Sequence, residues 1–158
     1  MMDFREREED FQMITLRLVD EENFTQLIHL TVAEKDKQFV ASNLRSLADC
    51  WLYRENGDVF PYAIYVNEEV IGFALVDIDD EESCYTIWRL MIDECQQGNG
   101  YGKSAILALI EQAKVLGKYS TIRADFVKVI SFIFYYFVNS LCRTLVQPAA
   151  RCLVLKVN

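Results

Sequence analysis

Hydrophobic positions change their period several times along the chain, and each change marks an element. Ile14 to Val19 (ITLRLV) alternates and predicts a short strand. Glu21 to Leu30 repeats with helical spacing, with Phe24, Leu27 and Ile28 inward. Lys37 to Tyr53 is helical again, with Phe39, Val40, Leu44, Leu47, Ala48 and Trp51 as its apolar face, and Asn56-Gly57-Asp58 ends it. Tyr62 to Val66 and Val70 to Asp77, joined by Asn67-Glu68-Glu69, read as an antiparallel hairpin. Asp77 to Ser83 is a solvated acidic turn, and Tyr85 to Asp93 (YTIWRLMID) is a strand. Ile106, Leu107, Leu109, Ile110 and Ala113 set the face of a helix over Lys103 to Leu116, stopped by Gly117. Ser120 to Phe126 is a further strand, and Cys152 to Val157 a closing one. The order predicts a mixed α/β fold.

Between the Tyr85 to Asp93 strand and the next helix lies QQGNGYGKS, Gln96 to Ser104. A P-loop would need its first glycine at Gln97, and a dinucleotide fingerprint would need its third at Lys103. What fits is Gln97-x-x-Gly100-x-Gly102 at the start of a helix. Unpaired amides and the helix dipole favour an anion there, and glycines let those amides face it.

Composition narrows the picture further. The 158 residues are 52% hydrophobic, enough for one compact domain. Residues 1–12, charged and without an apolar signal region, read as a flexible leader to a single domain over 13–158. A net charge of −8 argues against nucleic acid as the partner. It suits a cationic substrate, although acidity also serves solubility. Five cysteines without a Cys-x-x-Cys pair read as reduced thiols of a cytoplasmic protein. The one histidine, His29, is too few for a zinc site or a Ser-His triad, so no metal is expected.

The loop between strand and helix resembles the signature of the GNAT acyl-CoA N-acyltransferases. QFVASNLRSLADCW (Gln38 to Trp51), PYAIYVNEEVIGFALV (Pro61 to Val76) and YTIWRLMIDECQQGNGYG (Tyr85 to Gly102) resemble the bacterial diamine, spermidine and spermine acetyltransferases of that superfamily. The likeness runs from about Ile14 to about Phe126. It implies the α/β acyltransferase fold, a mixed and mostly antiparallel sheet flanked by helices. It implies acetyl-CoA as co-substrate, with its diphosphate on the amides of Gln97, Gly98, Asn99, Gly100, Tyr101, Gly102 and Lys103. Its pantetheine would pair with the backbone of Leu90, Met91 and Ile92, where the strand before the loop splays from the strand after the helix. The partner implied is a small amine, a polyamine such as spermidine or spermine. On the acceptor side the resemblance points to Glu34, with Tyr85 and Trp88 offering cation–π contact. Arg89 is expected to pair with a carboxylate.

Beyond Phe126 the pattern departs. The family's Asn-x-x-Ala-x-x-x-Tyr is matched by a tyrosine alone, Tyr136 in one register and Tyr135 in another. That tyrosine is the implied proton donor to the leaving sulfur. The run Val127 to Cys142, with Lys128 its one charge, reads as a buried or interface helix. It is short and interrupted for a membrane span, which needs about 20 apolar residues. Exposed, it would pair two subunits into a homodimer. Three accounts of this tail stay open: a divergent working helix, a lineage that binds coenzyme A with little catalysis, or a tail replaced by a shifted reading frame. The alternatives to a polyamine enzyme are therefore a regulatory coenzyme A-binding module and an acetyltransferase acting on a protein amine or another small amine.

Overall fold

The computed structural model of the chain describes residues 14–125 and 152–156. Six strands form one sheet in sequence order: β1 (Ile14–Leu18), β2 (Val59–Val66), β3 (Glu69–Asp79), β4 (Cys84–Ile92), β5 (Thr121–Asp125) and β6 (Cys152–Lys156). Every pairing is antiparallel except β4 with β5. A parallel pair needs a crossover, and helix α3 (Tyr101–Leu116) supplies it. Helices α1 (Phe24–His29) and α2 (Asn43–Tyr53) lie between β1 and β2.

The sheet separates two apolar clusters. On one face Ile64, Ala74, Val76, Tyr85, Ile87 and Ile92 pack with Ala105, Leu109 and Ala113 of α3. On the other Ala63, Tyr65, Phe73, Leu75 and Met91 pack with Leu27 of α1, and Leu47 and Cys50 of α2 lie against them. Alternation along the strands produces this sorting, and two bulges reset its phase. Ile64 faces Gly72 while Tyr65 faces Val70, so Ile71 is the extra residue of β3. Leu75 faces Arg89 while Val76 faces Ile87, so Trp88 is the extra residue of β4. After Trp88, Leu90 and Ile92 fall on the α3 face, where strict alternation from Ile87 would have put Arg89 and Met91.

Two helices are shorter than their periodicity suggests. The second begins at Asn43, because the Ser42 hydroxyl accepts the Arg45 amide at 3.2 Å and caps it. Glu34–Asp36 before it is a 3₁₀ turn. The expected apolar face over Lys37 to Tyr53 holds at Val40 and Leu47, which pack on the core, and is corrected elsewhere. Leu44 and Trp51 are exposed, whereas Asn43, Ser46 and Asp49 are buried. In α1, Leu27 is buried as expected, and Phe24 is largely exposed. The leader 1–12 and the helix expected over 127–142 lie outside the described residues.

Candidate active site

Among the described residues the β4–β5 ladder runs from Cys84↔Thr121 to Ile87↔Ala124. β4 continues through Trp88 to Ile92, held on its other edge by β3. The Trp88 bulge follows the last of these pairs, and a bulge bends a strand and adds to its twist. Leu90, Met91 and Ile92, expected to offer backbone to a ligand, therefore lie on the stretch of β4 past the last β5 pair. Close approach of β3 supports them. A Cβ on Gly72 would stand 2.5 Å from the Met91 carbonyl oxygen and 2.8 Å from Ile92 Cδ1.

The loop leaves β4 through a 3₁₀ turn, Glu94–Gln96, capped by Asp93, whose carboxylate accepts the Cys95 amide at 3.2 Å. Gly98 (φ +86°) and Gly100 (φ +81°) take the left-handed conformation, which L side chains rarely adopt. Among the described residues a Cβ on either would meet nothing within 4 Å. Two polar side chains tie the loop to backbone beside it. Gln97 Nε2 donates to the Ile92 carbonyl at 3.1 Å, and Asn99 Nδ2 to the Gln96 carbonyl at 3.1 Å. Gln97 thus fixes the loop to the end of β4 with its side chain. Gly100 caps α3 and contributes no side-chain acceptor, and the first turn carries no acidic residue. The Ser104 amide closes the helix's opening bond to the Gly100 carbonyl at 3.1 Å. Amides before it, through Gly102, point out of the helix end toward the loop. A diphosphate fits such a cradle: left-handed glycines and a positive helix end whose N-cap offers no side chain. Tyr101 packs against the α3-side core, so its part in a cradle is through backbone.

On the opposite face, α2 meets β4 through charge. Arg89 Nη1 lies 2.8 Å from Asp49 Oδ2, and Arg45 Nε lies 3.0 Å from Asp49 Oδ1. Burial pushes the Asp49 carboxyl up, and the two guanidiniums more than offset this, holding it below the ordinary carboxylate value. The carboxylate expected for Arg89 is thereby identified. Burial also pushes the neighbouring Cys50 thiol up to about 11. Trp88 is half-buried against the α1–α2 cluster. Its ring carries the Arg89 guanidinium 4.7 Å from the centroid and tilts against Tyr53 at 6.2 Å. A cation already rests on Trp88, and it comes from the chain itself.

Tyr85 corrects an expectation. Its ring is 1% exposed within the α3-side core, and its hydroxyl donates to Gln112 Oε1 at 2.7 Å. Burial drives its pKa far up, so the ring is a core member and offers no face to an acceptor. Glu34 stands in the 3₁₀ turn after α1, with its side chain 87% exposed and its carboxylate 2.6 Å from Lys37 Nζ. That hydrogen bond, and then the charge itself, raise the Lys37 pKa. Trp88 and Glu34 therefore belong to separate local arrangements, and each holds an internal partner. Tyr135 and Tyr136 lie outside the described residues.

Asp49, Arg45 and Tyr53 escape a reading by hydrophobic period. Asn43, Ser46 and Asp49 recur three apart and look like a solvent stripe, yet they are the inner one. The available signal is the Arg45-Asp49 spacing together with an arginine inside a strand, since a strand arginine facing a packed helix needs a carboxylate. Among the described residues no three His, Cys, Asp or Glu side chains gather to hold a metal ion, and no helix is long and apolar enough to cross a membrane.

Comparison with known proteins agrees with this geometry. A sequence model of the acetyltransferase (GNAT) family matches residues 24–133. The spermine/spermidine N(1)-acetyltransferase of Bacillus subtilis strain 168 is 26% identical over 114 residues, 66% of this chain and 71% of that protein. A probable spermine N(1)-acetyltransferase of Bacillus subtilis subsp. natto is 25% identical over the same length. Among solved structures, the aminoglycoside acetyltransferase AAC(6')-Ib with coenzyme A superposes with a TM-score of 0.68 at 19% identity, covering 91% of this chain and 95% of that one. The PaiA N-acetyltransferase of Thermoplasma acidophilum with coenzyme A gives 0.61 at 15% identity, covering 92% and 99%. With the family match spanning most of the chain, and the fold and glycine loop in agreement, this protein belongs to the GNAT family of acetyltransferases.

Proposed function

We propose that this chain moves an acetyl group from acetyl-CoA to the primary amine of a small cationic acceptor, a polyamine such as spermidine or spermine. The observation that carries the reading is the start of α3, which has no side-chain cap and is reached through left-handed Gly98 and Gly100, beside the stretch of β4 past its last pair with the described residues of β5. Bound there, the co-substrate supplies an acetyl group activated as a thioester.

The chain's own part is positioning and charge. Amides from Gln97 to Lys103 hold the diphosphate, and the backbone of Leu90 to Ile92 pairs with the amide arm. An amide of β4 is the donor for developing oxyanion charge. The amine must be neutral to attack, and a carboxylate acting through water takes its proton. Glu34, exposed after α1 and paired with Lys37, is the acceptor-side carboxylate in this reading. Trp88 and Tyr53 wall the acceptor side, with Trp88 contributing surface area while Arg89 occupies its ring. Tyr136 or Tyr135 gives its hydroxyl proton to the leaving sulfur. The polyamine assignment draws support from the Bacillus relatives and from a net charge of −8.

The test is thiol release from acetyl-CoA with spermidine, spermine, a peptide amine and an aminoglycoside, run beside Tyr135→Phe and Tyr136→Phe. Spermidine and spermine are expected to support turnover, and one of the two variants to lose about 100-fold in kcat. Turnover with the peptide or the aminoglycoside instead would reassign the acceptor. Coenzyme A binding without release from any amine would leave a carrier-binding module.

A further inference from the structure

We infer that Asp93 is a positioning residue tying the acceptor-side segment Thr31–Glu34 to the glycine loop, so that a carrier seated on the loop also steadies that segment. The inference rests on the loop's reading as a coenzyme A cradle.

The tie is reciprocal. Asp93 Oδ1 accepts the Thr31 amide at 2.9 Å, and the Glu94 amide donates to the Thr31 carbonyl at 2.8 Å. The other carboxylate oxygen accepts the Cys95 amide at 3.2 Å, which caps the turn leading into the loop. The Asp93 amide donates to the Ile71 carbonyl at 2.9 Å and anchors the residue to β3. One carboxylate therefore has one oxygen on the segment after α1 and one on the start of the loop. Thr31 sits between buried Leu27 and buried Val32, just ahead of exposed Glu34.

Two left-handed glycines give the loop a large backbone entropy when nothing holds it. A ligand that freezes the loop removes that freedom, and ordering passes to whatever is rigidly bonded to it. Here the bonded neighbour is the segment that presents Glu34. Asp93 and the Glu94 amide are the physical link that such coupling requires.

Hydrogen exchange of the full chain, with coenzyme A alone as probe, reads this directly. Coenzyme A is expected to slow exchange both over 97–104 and over 30–36. Asp93→Ala should keep the first effect and lose about tenfold of the second, the factor one charge-assisted hydrogen bond is worth. Asp93→Asn, which still offers an oxygen to the Thr31 amide, should restore it. Glu94→Pro removes the return bond at the first position of a 3₁₀ turn, where the fixed φ of proline fits, and should lose part of the effect. A purely structural role would raise exchange over 30–36 in each variant equally with and without ligand, and would overturn the inference. So would protection of the loop in the native chain with no change over 30–36. Protection at neither stretch would sink the cradle itself, and the inference with it.

Discussion

At Gly72 one missing methyl group decides how close two strands come. An added Cβ would press on a carbonyl oxygen of β4, a backbone atom with no rotamer to relieve it. Gly72→Ala should therefore cost about 2–3 kcal/mol in urea unfolding, the upper range for an overpacked site. A cost below about 0.5 kcal/mol would mean that β3 and β4 part easily. Asp49 sets a second expectation. Its pKa is lower folded than the ordinary 3.8, so the unfolded chain binds its proton first as pH falls. The stability it contributes is complete above that value and is lost as pH drops through the depressed folded value. Asp49→Asn should thus be less stable than the native chain at pH 6, with the gap closing toward pH 3. A gap independent of pH would show that the ion pair carries none of it. The Gly72 collision is not legible in sequence, since it depends on register, and for Asp49 the sequence offers the need of a strand arginine for a carboxylate without saying which one.

At the scale of the element, α2 is the instructive case. Its hydrophobic period is real, yet Leu44, Trp51 and Leu52 face outward while Asn43 and Ser46 pack inward. The reason is that the inner surface is polar work: Asn43 Nδ2 donates to the Leu27 carbonyl at 2.8 Å, and Asp49 meets Arg89. Period identifies a helix but cannot say which stripe the rest of the fold requires. Ser46, fully buried, should not tolerate enlargement: Ser46→Leu is expected to lower stability by about 1–3 kcal/mol. Leu52→Lys, on the opposite side, should change it by less than about 0.5 kcal/mol in the same denaturation experiment. Reversed costs would put Leu52 on the inner side of the helix and Ser46 on the outer. The strands and α3 were legible to within a few residues because alternation, turn residues and the stop at Gly117 agree with one another there. The glycine loop was legible for the same reason: its residues answer to local backbone conformation. Tyr85 was not, because burial of a tyrosine on a strand depends on which face α3 covers.

For the whole molecule, the balance of charge is the property that reaches furthest. A net charge of −8 draws cations from a distance, and salt screens that attraction over about 10 Å at 0.1 M. If spermidine is the acceptor, kcat/KM for it should fall several-fold between about 0.02 and 0.5 M NaCl, with kcat nearly unchanged. A salt-independent kcat/KM would argue for a neutral acceptor. The single parallel joint between β4 and β5 carries a different consequence. Strands β1 to β4 follow one another as neighbours, and β2 to β4 are joined by short turns, contacts that close over short spans of chain. The joint needs α3 laid across first, so it is expected to be the slow step of assembly. A ligand seated against that seam would act after the rate-limiting event, slowing the departure from the native state and leaving the speed of its formation untouched.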